Sequence, residues 1–525
     1  MVGRIFDIQV LDFVMSDSEE SQPPSGPRGG AARSASAGPP AGMGRGPRHN
    51  LTEGPITKTL ILFSLPLMGG NILQSLNGTV NQFWVAHTLG VSAITALANS
   101  NTLMFLLQSS IMGVTMAANI LVAQSVGAHD LPMVKRIMGS ATSFFLVLSL
   151  TLAVLGWFGA PLLLGWMHTP QAASDEAIIY LRIMFAAMPF TYFFMFMQMA
   201  QRGAGDSRTP FYFMALATVL DATLNPMLIR GIGPFPRLGI AGSATSTLIG
   251  QGVSFILLGA WLYRKRSVLV LWPSEFHLLK PDFTLIWPLI RRGFPMSLQM
   301  FLMSGASVVM FSFVNRYGAV TSAAYGGASF VWNYIQMPGM AIGASVSSMA
   351  AQNVGANRWD RVEKIARSGV FTALAVAGTC TVVIYLLGPL PLYLFLPPGS
   401  PTIPIALHIN REVIWAFVLF NATFALSGVV RSTGAVIPPL IILAVSMWII
   451  RVPFAGLMTP HFGSDAIWWS FPLGTITSAV LTGLYYKYGG WRNSRMLEPV
   501  RPPGAAPLEG AKPTPMEDVE GAMVG

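Results

Sequence analysis

One carboxylate stands alone in an apolar segment, and its neighbours could bind an ion with it. Asp221 is the only charged residue in the range 215–229. Asn225 lies four residues later, so both side chains fall on one face of a helix. Pro226 has no N–H to donate to the carbonyl of Ala222, which leaves a free acceptor beside the acid. This group predicts a site for a proton, Na⁺ or a cationic substrate, and a structural hydrogen bond between helices is the alternative.

Amide side chains recur at spacings of three and four residues earlier in the chain, at Asn71, Gln74, Asn77 and Asn81. This spacing places all four on one stripe of a helix. In a membrane helix such a stripe must face protein or water, because lipid offers no hydrogen bonds. We therefore expect Gln74, Asn77 and Asn81 to line a cavity with Asp221 or to bond neighbouring helices together.

The second half of the chain supplies a further group of candidate residues. Asn333 and Gln336 precede Pro338, where a kink would expose backbone carbonyls. Tyr325 could stack on an amphipathic cation, or serve only in packing. Arg451 lies inside an apolar segment and could pair with a carboxylate or a helix end, or be structural. We treat these four as secondary candidates for a substrate cavity.

The composition argues against several other chemistries. Cys380 is the single cysteine and the seven histidines show no metal-ligand spacing, so we expect no metal site. No G-x-x-x-x-G-K-[ST] motif, paired acids or Ser/His arrangement occurs in the apolar segments, so neither an ATP motor nor an enzyme is expected. The net charge of +10 comes from basic residues between apolar runs, which does not indicate a nucleic-acid partner. We expect no cofactor apart from H⁺ or Na⁺ as a coupling ion.

The elements that must position these residues are membrane helices. The chain is 52% hydrophobic and only 10% charged, whereas soluble domains carry about 25% charged residues. An all-α integral membrane protein is therefore predicted, with twelve apolar segments that can each cross a bilayer. The segments are 57–86, 92–125, 134–165, 176–202, 209–230, 239–263, 284–315, 321–353, 363–395, 406–430, 436–458 and 465–489.

Loop charges predict the orientation of these segments. One set of alternate loops carries thirteen Lys and Arg residues, including Lys135, Arg264 and Arg361, and the other set carries three. Positive loops stay in the cytoplasm, so both termini should be cytoplasmic. Residues 1–50 and 491–525 are rich in polar residues, Pro and Gly and are predicted to be disordered tails. Met15 could be the true start of the chain.

The two halves of the apolar region resemble each other. The sequence at 123–128 returns at 351–356 with one substitution, and Arg202 and Pro210 return as Arg431 and Pro439. Each half holds six segments, so the repeats are parallel and permit alternating access by rocking. The predicted units are an N-lobe at 55–263, a cytoplasmic inter-lobe loop at 264–283 and a C-lobe at 284–490.

Several stretches in this order resemble the MATE (multidrug and toxic compound extrusion) family. They are Phe63-Ser64-Leu65-Pro66, Phe83-Trp84-Val85, Leu121 to Gln124 with Gly127, Arg202 to Pro210, Gln336-Met337-Pro338 and Ala350 to Ala356. The resemblance implies a two-lobed V of twelve helices and export of amphipathic, often cationic, compounds against H⁺ or Na⁺. Relatives in the DNA-damage-inducible branch carry acids at positions that match Asn81 and Asn225, whereas here the acid stands one turn earlier, at Asp221.

The function that we predict is ion-coupled antiport of amphipathic cationic drugs or metabolites. The alternatives are a flippase of lipid-linked precursors, which would need a basic cavity, and an exporter of one specific metabolite. The expected partners are a small-molecule substrate and the lipid bilayer, with a monomer as the functional unit. We expect a multi-pass protein of the plasma membrane, which is the inner membrane if the source is bacterial.

Overall fold

The computed structural model describes residues 51–89, 91–167 and 171–496, and within these ranges it contains helices and no strands. The predicted tail at 1–50 and residues from 497 onwards lie outside the described residues. Trp491 and Met496 are buried, so folded structure extends past residue 490, where the tail was predicted to begin. Leu51 and Thr52 are buried at the other end, ahead of the predicted N-lobe.

Long helices follow one another along the chain. They are α1 (Ile56–Leu89), α2 (Val91–Gly127), α3 (Leu131–Trp166), α4 (Gln171–Gly203), α5 (Arg208–Arg230), α6 (Ile240–Arg264), α7 (Phe283–Asn315), α8 (Ala319–Gly355), α9 (Trp359–Leu387), α10 (Thr402–Val413), α11 (Ala416–Ser432), α12 (Ile437–Ala444), α13 (Val452–Phe462) and α14 (Asp465–Tyr488). Short helical turns occur at Pro273–Leu279, Leu392–Leu394 and Gly490–Asn493.

Two membrane spans are interrupted. The tenth span consists of α10 and α11, which meet at a bend of 46°. The eleventh span, Ile437–Phe462, joins α12 to α13 through a π-helical turn at Val445–Arg451. Each was predicted as one continuous apolar segment, at 406–430 and at 436–458.

Nine helices of the described residues are long and apolar enough to cross a membrane, and the bent tenth span makes ten. The other two are α8, with 37 residues, and α14, with 24. Both exceed the roughly 20 residues that a bilayer requires. The hydropathy of these two helices is lower than that of the other spans. In α8 the reason is its many Gly, Ser and amide residues, which lie on a large buried face shielded from lipid. Together these helices form the twelve predicted spans.

The packing joins the two halves through α1 and α2. Helix α1 packs against α5 of its own half and against α8 and α9 of the other. Its buried residues Leu60, Phe63 and Leu67 belong to a core cluster with residues of α8, α9 and α11. Helix α2 packs against α7 and α8. The lobe boundaries remain a prediction, and the first span contributes to the cores of both halves.

Candidate functional site

Asp221 lies at the centre of a hydrogen-bonded cluster that joins α1, α5 and α6. Its side chain is only 3% exposed. Asn77 Nδ2 on α1 donates to Asp221 Oδ2 at 2.9 Å, and Thr247 Oγ1 on α6 donates to the same oxygen at 3.0 Å. Ser246 donates its hydroxyl to Asp221 Oδ1. The carboxylate therefore accepts three hydrogen bonds, all of them from neutral groups.

A glycine on α6 allows the close approach that builds this cluster. A Cβ at Gly250 would lie 2.9 Å from the carbonyl oxygen of Ala217 and 3.5 Å from Asp221 Cβ. The first distance is shorter than carbon atoms adopt against a backbone oxygen, so a larger residue would force α6 away from α5. The small residue thus brings the hydroxyls of Ser246 and Thr247 within reach of the acid.

The neighbouring amides extend the polar surface. Asn225 is 1% exposed, and its Oδ1 has no hydrogen-bond partner among the described residues. Asn81 accepts a hydrogen bond from the hydroxyl of Ser243 on α6. Asn225 and Asn81 therefore add amide oxygens to the helices that hold Asp221, and oxygen ligands are those that hard cations prefer.

The structure brings together part of the predicted first-half site. Asn77 contacts Asp221 directly, whereas Gln74 is exposed and makes no hydrogen bond within the described residues. Ser246, Thr247 and Gly250 were not predicted. Serine and threonine are common in membrane helices, and their role here depends on which helix packs beside α5, which one sequence does not reveal.

The predicted second-half residues divide into two groups. Tyr325 and Arg451 are buried and both contact the ring of Phe471; the Arg451 Cζ lies 3.4 Å from the centroid of that ring. Asn333 is exposed and Gln336 half-buried, and neither forms a hydrogen bond within the described part of the chain. Tyr325 and Arg451 thus belong to one cluster that does not include the two amides.

The repeated glutamines join the halves at one end of the bundle. Gln124 at the end of α2 donates through Nε2 to the carbonyl oxygen of Ser432 at 2.6 Å. Gln352 at the end of α8 donates through Nε2 to the carbonyl oxygen of Gly203 at 2.7 Å. Each glutamine therefore bonds the end of a helix in the opposite half, and the repeat relates one bond to the other.

Two glycines make this contact possible. A Cβ at Gly127 would lie 1.9 Å from the carbonyl oxygen of Gln352, and a Cβ at Gly355 would lie 1.9 Å from that of Gln124. Any side chain at either position would separate α2 from α8. The repeated stretches found in the sequence are thus the surfaces at which the repeats meet, on the end predicted to be cytoplasmic.

Comparisons with known proteins agree with this architecture. The MatE family model matches residues 66–227 and 295–457, once in each half. Probable multidrug resistance protein YoeA of Bacillus subtilis (strain 168) is 33% identical over 435 residues, which cover 82% of this chain and 94% of the relative. The FAD transporter of Shewanella oneidensis is 26% identical over 320 residues, which cover 60% of this chain and 69% of the relative.

Solved structures show the same fold. The outward-facing conformation of a multidrug resistance MATE family transporter of the MOP superfamily superposes with a TM-score of 0.76 at 21% identity. The match covers 83% of this chain and 96% of the other, so the predicted twelve-helix, two-lobed fold is confirmed. With both repeats matched and a relative at 33% identity over most of its length, the chain belongs to the MatE family, whose members are membrane transporters and not enzymes.

Proposed function

We propose that the chain is an ion-coupled antiporter that exports amphipathic cations, with Asp221 as the residue shared by ion and substrate. The observation that carries this proposal is a carboxylate buried among three neutral donors. No Lys, Arg or His of the described residues forms an ion pair with it. A buried ionised carboxylate without a cation is costly, so binding of H⁺, Na⁺ or a cationic substrate would stabilise it.

The surrounding oxygens support such exchange. Asn77, Ser246 and Thr247 donate hydrogen bonds to the carboxylate. Asn225 lies one turn further along α5, and Asn81 lies on the adjoining α1, so both add amide oxygens to the same helices. Coupling requires that only one cation occupies the site at a time. An ion that enters from outside would then release the substrate, and a substrate that enters from the cytoplasm would release the ion.

The names of relatives support export of drug-like compounds, since the Bacillus subtilis relative is called a multidrug resistance protein. The Shewanella oneidensis relative, an FAD transporter, supports the alternative of one specific metabolite. We further propose a monomer in the plasma membrane with both termini in the cytoplasm. The loop charges support the orientation of the termini.

Efflux from everted vesicles, with pH and Na⁺ gradients imposed separately, tests this proposal. We expect one gradient to drive accumulation of a fluorescent cation such as ethidium. Asp221→Asn should abolish that accumulation while the protein still inserts at the normal level, because the amide retains the shape but not the charge. Gradient-driven transport at the wild-type rate by Asp221→Asn would refute the role of this carboxylate.

A further inference from the structure

The position that Asp221 occupies in the first half is filled by an arginine in the second. Gly250 on α6 packs against Ala217 and Asp221. Gly474 on α14 packs in the same way against the eleventh span, where a Cβ would lie 3.2 Å from the carbonyl oxygen of Ser446 and 3.2 Å from Arg451 Cβ. The sixth and twelfth spans therefore approach the fifth and eleventh through equivalent glycines.

The π-helical turn explains why this correspondence is hidden in the sequence. Arg202 aligns with Arg431 at a shift of 229 residues, and Ala217 aligns with Ser446 at the same shift. Asp221 aligns with Arg451 at a shift of 230, one residue more. A π turn, with bonds from i to i+5, accommodates one additional residue. The π turn at Val445–Arg451 supplies that residue and returns Arg451 to the face that Asp221 uses.

The residue that packs beside each charged group differs between the two halves, and each suits the charge that it contacts. Thr247, three residues before Gly250, donates a hydrogen bond to Asp221. Phe471, three residues before Gly474, places its ring 3.4 Å from the Arg451 Cζ. A carboxylate with a hydroxyl donor is thus replaced by a guanidinium over an aromatic face, which is a favourable environment for a cation.

Among the described residues, no acidic side chain forms an ion pair with Arg451, the buried arginine of the second half. Between residues 283 and 496 the acids are Asp360, Glu363, Glu412 and Asp465, and all lie near helix ends. In this range, Glu363 pairs with Arg492 and Asp465 with His408, and neither Arg431 nor Arg451 forms an ion pair with a described acid. The buried part of this half therefore carries positive charge without a counterion among the described residues.

Arg431 is a second buried guanidinium of this half, and its Cζ lies 5.0 Å from the centroid of the Phe424 ring. Its side chain is 3% exposed, and only a 3.4 Å hydrogen bond from Nη1 to Gln299 Oε1 is formed. Its Nε and Nη2, the Nε of Arg451 and the Oγ1 of Thr482 have no partner in the described part of the chain. Buried polar atoms of native proteins nearly always have a hydrogen-bond partner, so these four atoms without one indicate a ligand or ordered water.

These groups line two adjoining cavities. Arg451 and Gly474 line a cavity of about 30 Å³, and Arg431 and Thr482 line one of about 40 Å³. Phe420, Leu443 and Ser478 border both. Each volume exceeds the roughly 10–15 Å³ that one water needs. The space suits a small charged group, and the rings and aliphatic side chains around it suit an apolar body.

We propose that the two adjoining cavities, one lined by Arg451 and the other by Arg431, form a binding site for an amphipathic ligand with an anionic group, a carboxylate or a phosphate. A guanidinium binds both groups through paired N–H bonds, and burial strengthens that attraction. The site is separate from Asp221, so its existence does not depend on the ion-coupling proposal. An anionic lipid headgroup and a soluble organic anion share this chemistry.

The test uses the full chain in nanodiscs of phosphatidylcholine, with binding measured by equilibrium dialysis. The probe is 1-naphthyl phosphate, and 1-naphthol is the matched neutral compound. Wild-type protein should bind the phosphate at least about tenfold more tightly than the alcohol, which is about 1.4 kcal/mol. This comparison needs no variant, so it stands even if a substitution prevents folding. Equal affinity for the two compounds would overturn the proposal.

Two substitutions then assign the site. Arg451→Gln and Arg431→Gln should each remove most of the preference for the phosphate, whereas Arg411→Gln, an exposed arginine of the same half, should leave it unchanged. A preference that survives in both variants, each monodisperse in nanodiscs, would contradict the assignment. Failure of cation efflux would bear only on Asp221, because no gradient enters this measurement.

The source of the anionic group is distinguished by lipid composition. If the site takes a lipid headgroup, phosphatidylglycerol in the nanodiscs should compete with the probe in the wild-type protein but not in Arg451→Gln. If it takes a soluble anion, phosphatidylglycerol should have no effect and probe binding should persist. Both results support an anion site, and equal affinity for 1-naphthyl phosphate and 1-naphthol in phosphatidylcholine excludes it.

Discussion

Helix α5 and the eleventh span are equivalent members of two repeats, and they carry opposite charges at the position where each packs against a glycine of the next span. In α5 a carboxylate accepts hydrogen bonds from hydroxyl and amide groups. In the eleventh span a guanidinium packs on the ring of Phe471. Both lie against a glycine that permits close helix packing. The scaffold is therefore retained, and the charge that it presents is inverted.

This difference indicates that the two halves have separate roles. In the two proposals, Asp221 exchanges cations, and the cavities lined by Arg431 and Arg451 bind an anionic group. A ligand with both charges, or two ligands of opposite charge, would be accommodated by such a transporter. A flippase of lipid-linked precursors would need a basic cavity. The cavities lined by Arg451 and Arg431 in the second half therefore support that alternative.

The π turn provides a direct test of the comparison, through deletion of one exposed residue from each helix. Deletion of Val219 from α5 should rotate Asp221 by about 100° relative to the preceding turn, away from Thr247. We expect cation efflux to fall to the level of Asp221→Asn. Deletion of Ile449 should instead convert the π turn to an α-helical one and leave Arg451 facing Gly474, so binding of 1-naphthyl phosphate should persist.

Val219 and Ile449 are matched for this test, since they are 57% and 62% exposed. Membrane insertion and monodispersity should be measured for both deletions. If deletion of Ile449 abolishes anion binding in a monodisperse protein, the π turn is not an inserted residue and the proposed equivalence of Asp221 and Arg451 fails.

The twelve spans could be predicted from hydropathy, because an apolar run of sufficient length has few alternatives to a membrane helix. Asp221 and Asn77 could be predicted because an acid or amide in such a helix needs a partner. Arg431 gave no comparable signal, since it ends a span and appears in the sequence only as the repeat of Arg202. The correspondence of Asp221 with Arg451 could not be predicted either, because the alignment of the halves shifts by one residue between Ala217 and Asp221.

The contact between α2 and α8 allows a second test, since the repeat relates its two sides. Gly127→Ala and Gly355→Ala each place a Cβ against a backbone oxygen at 1.9 Å. Both should weaken closure at the predicted cytoplasmic end by similar amounts and shift the population towards opening there. Gly159→Ala on α3 is the control, because no atom lies within 4 Å of its added Cβ.

Opening can be followed by thiol labelling. In a Cys380→Ala background, Ser348→Cys gives one buried cysteine on the side of α8 that meets α2, where the Ser348 hydroxyl donates to Asn119 Oδ1 at 3.2 Å. A membrane-impermeant maleimide added on the predicted cytoplasmic side should label it several-fold faster in both glycine variants. Faster labelling in only one would show that the two halves do not contribute equally to closure.

The smallest expected effect separates the two amides of α1, which have no polar counterpart in the second half. Asn77 donates directly to Asp221, whereas Asn81 accepts from Ser243 and does not contact the acid. A hydrogen bond between membrane helices contributes about 0.6 kcal/mol, which corresponds to about threefold. Asn77→Ala should therefore lower the initial rate of coupled cation efflux about threefold. Asn81→Ala should lower it less, because all three hydrogen bonds to the carboxylate remain.

The control lies in the second half. The position in α7 that is equivalent to Asn77 falls at Gly305 or Ala306, and Gly305→Ala should not affect cation efflux beyond its effect on protein level. Initial rates normalised to inserted protein decide between these outcomes, and a larger loss for Asn81→Ala than for Asn77→Ala would show that the cation path runs beside Ser243 and not through Asp221.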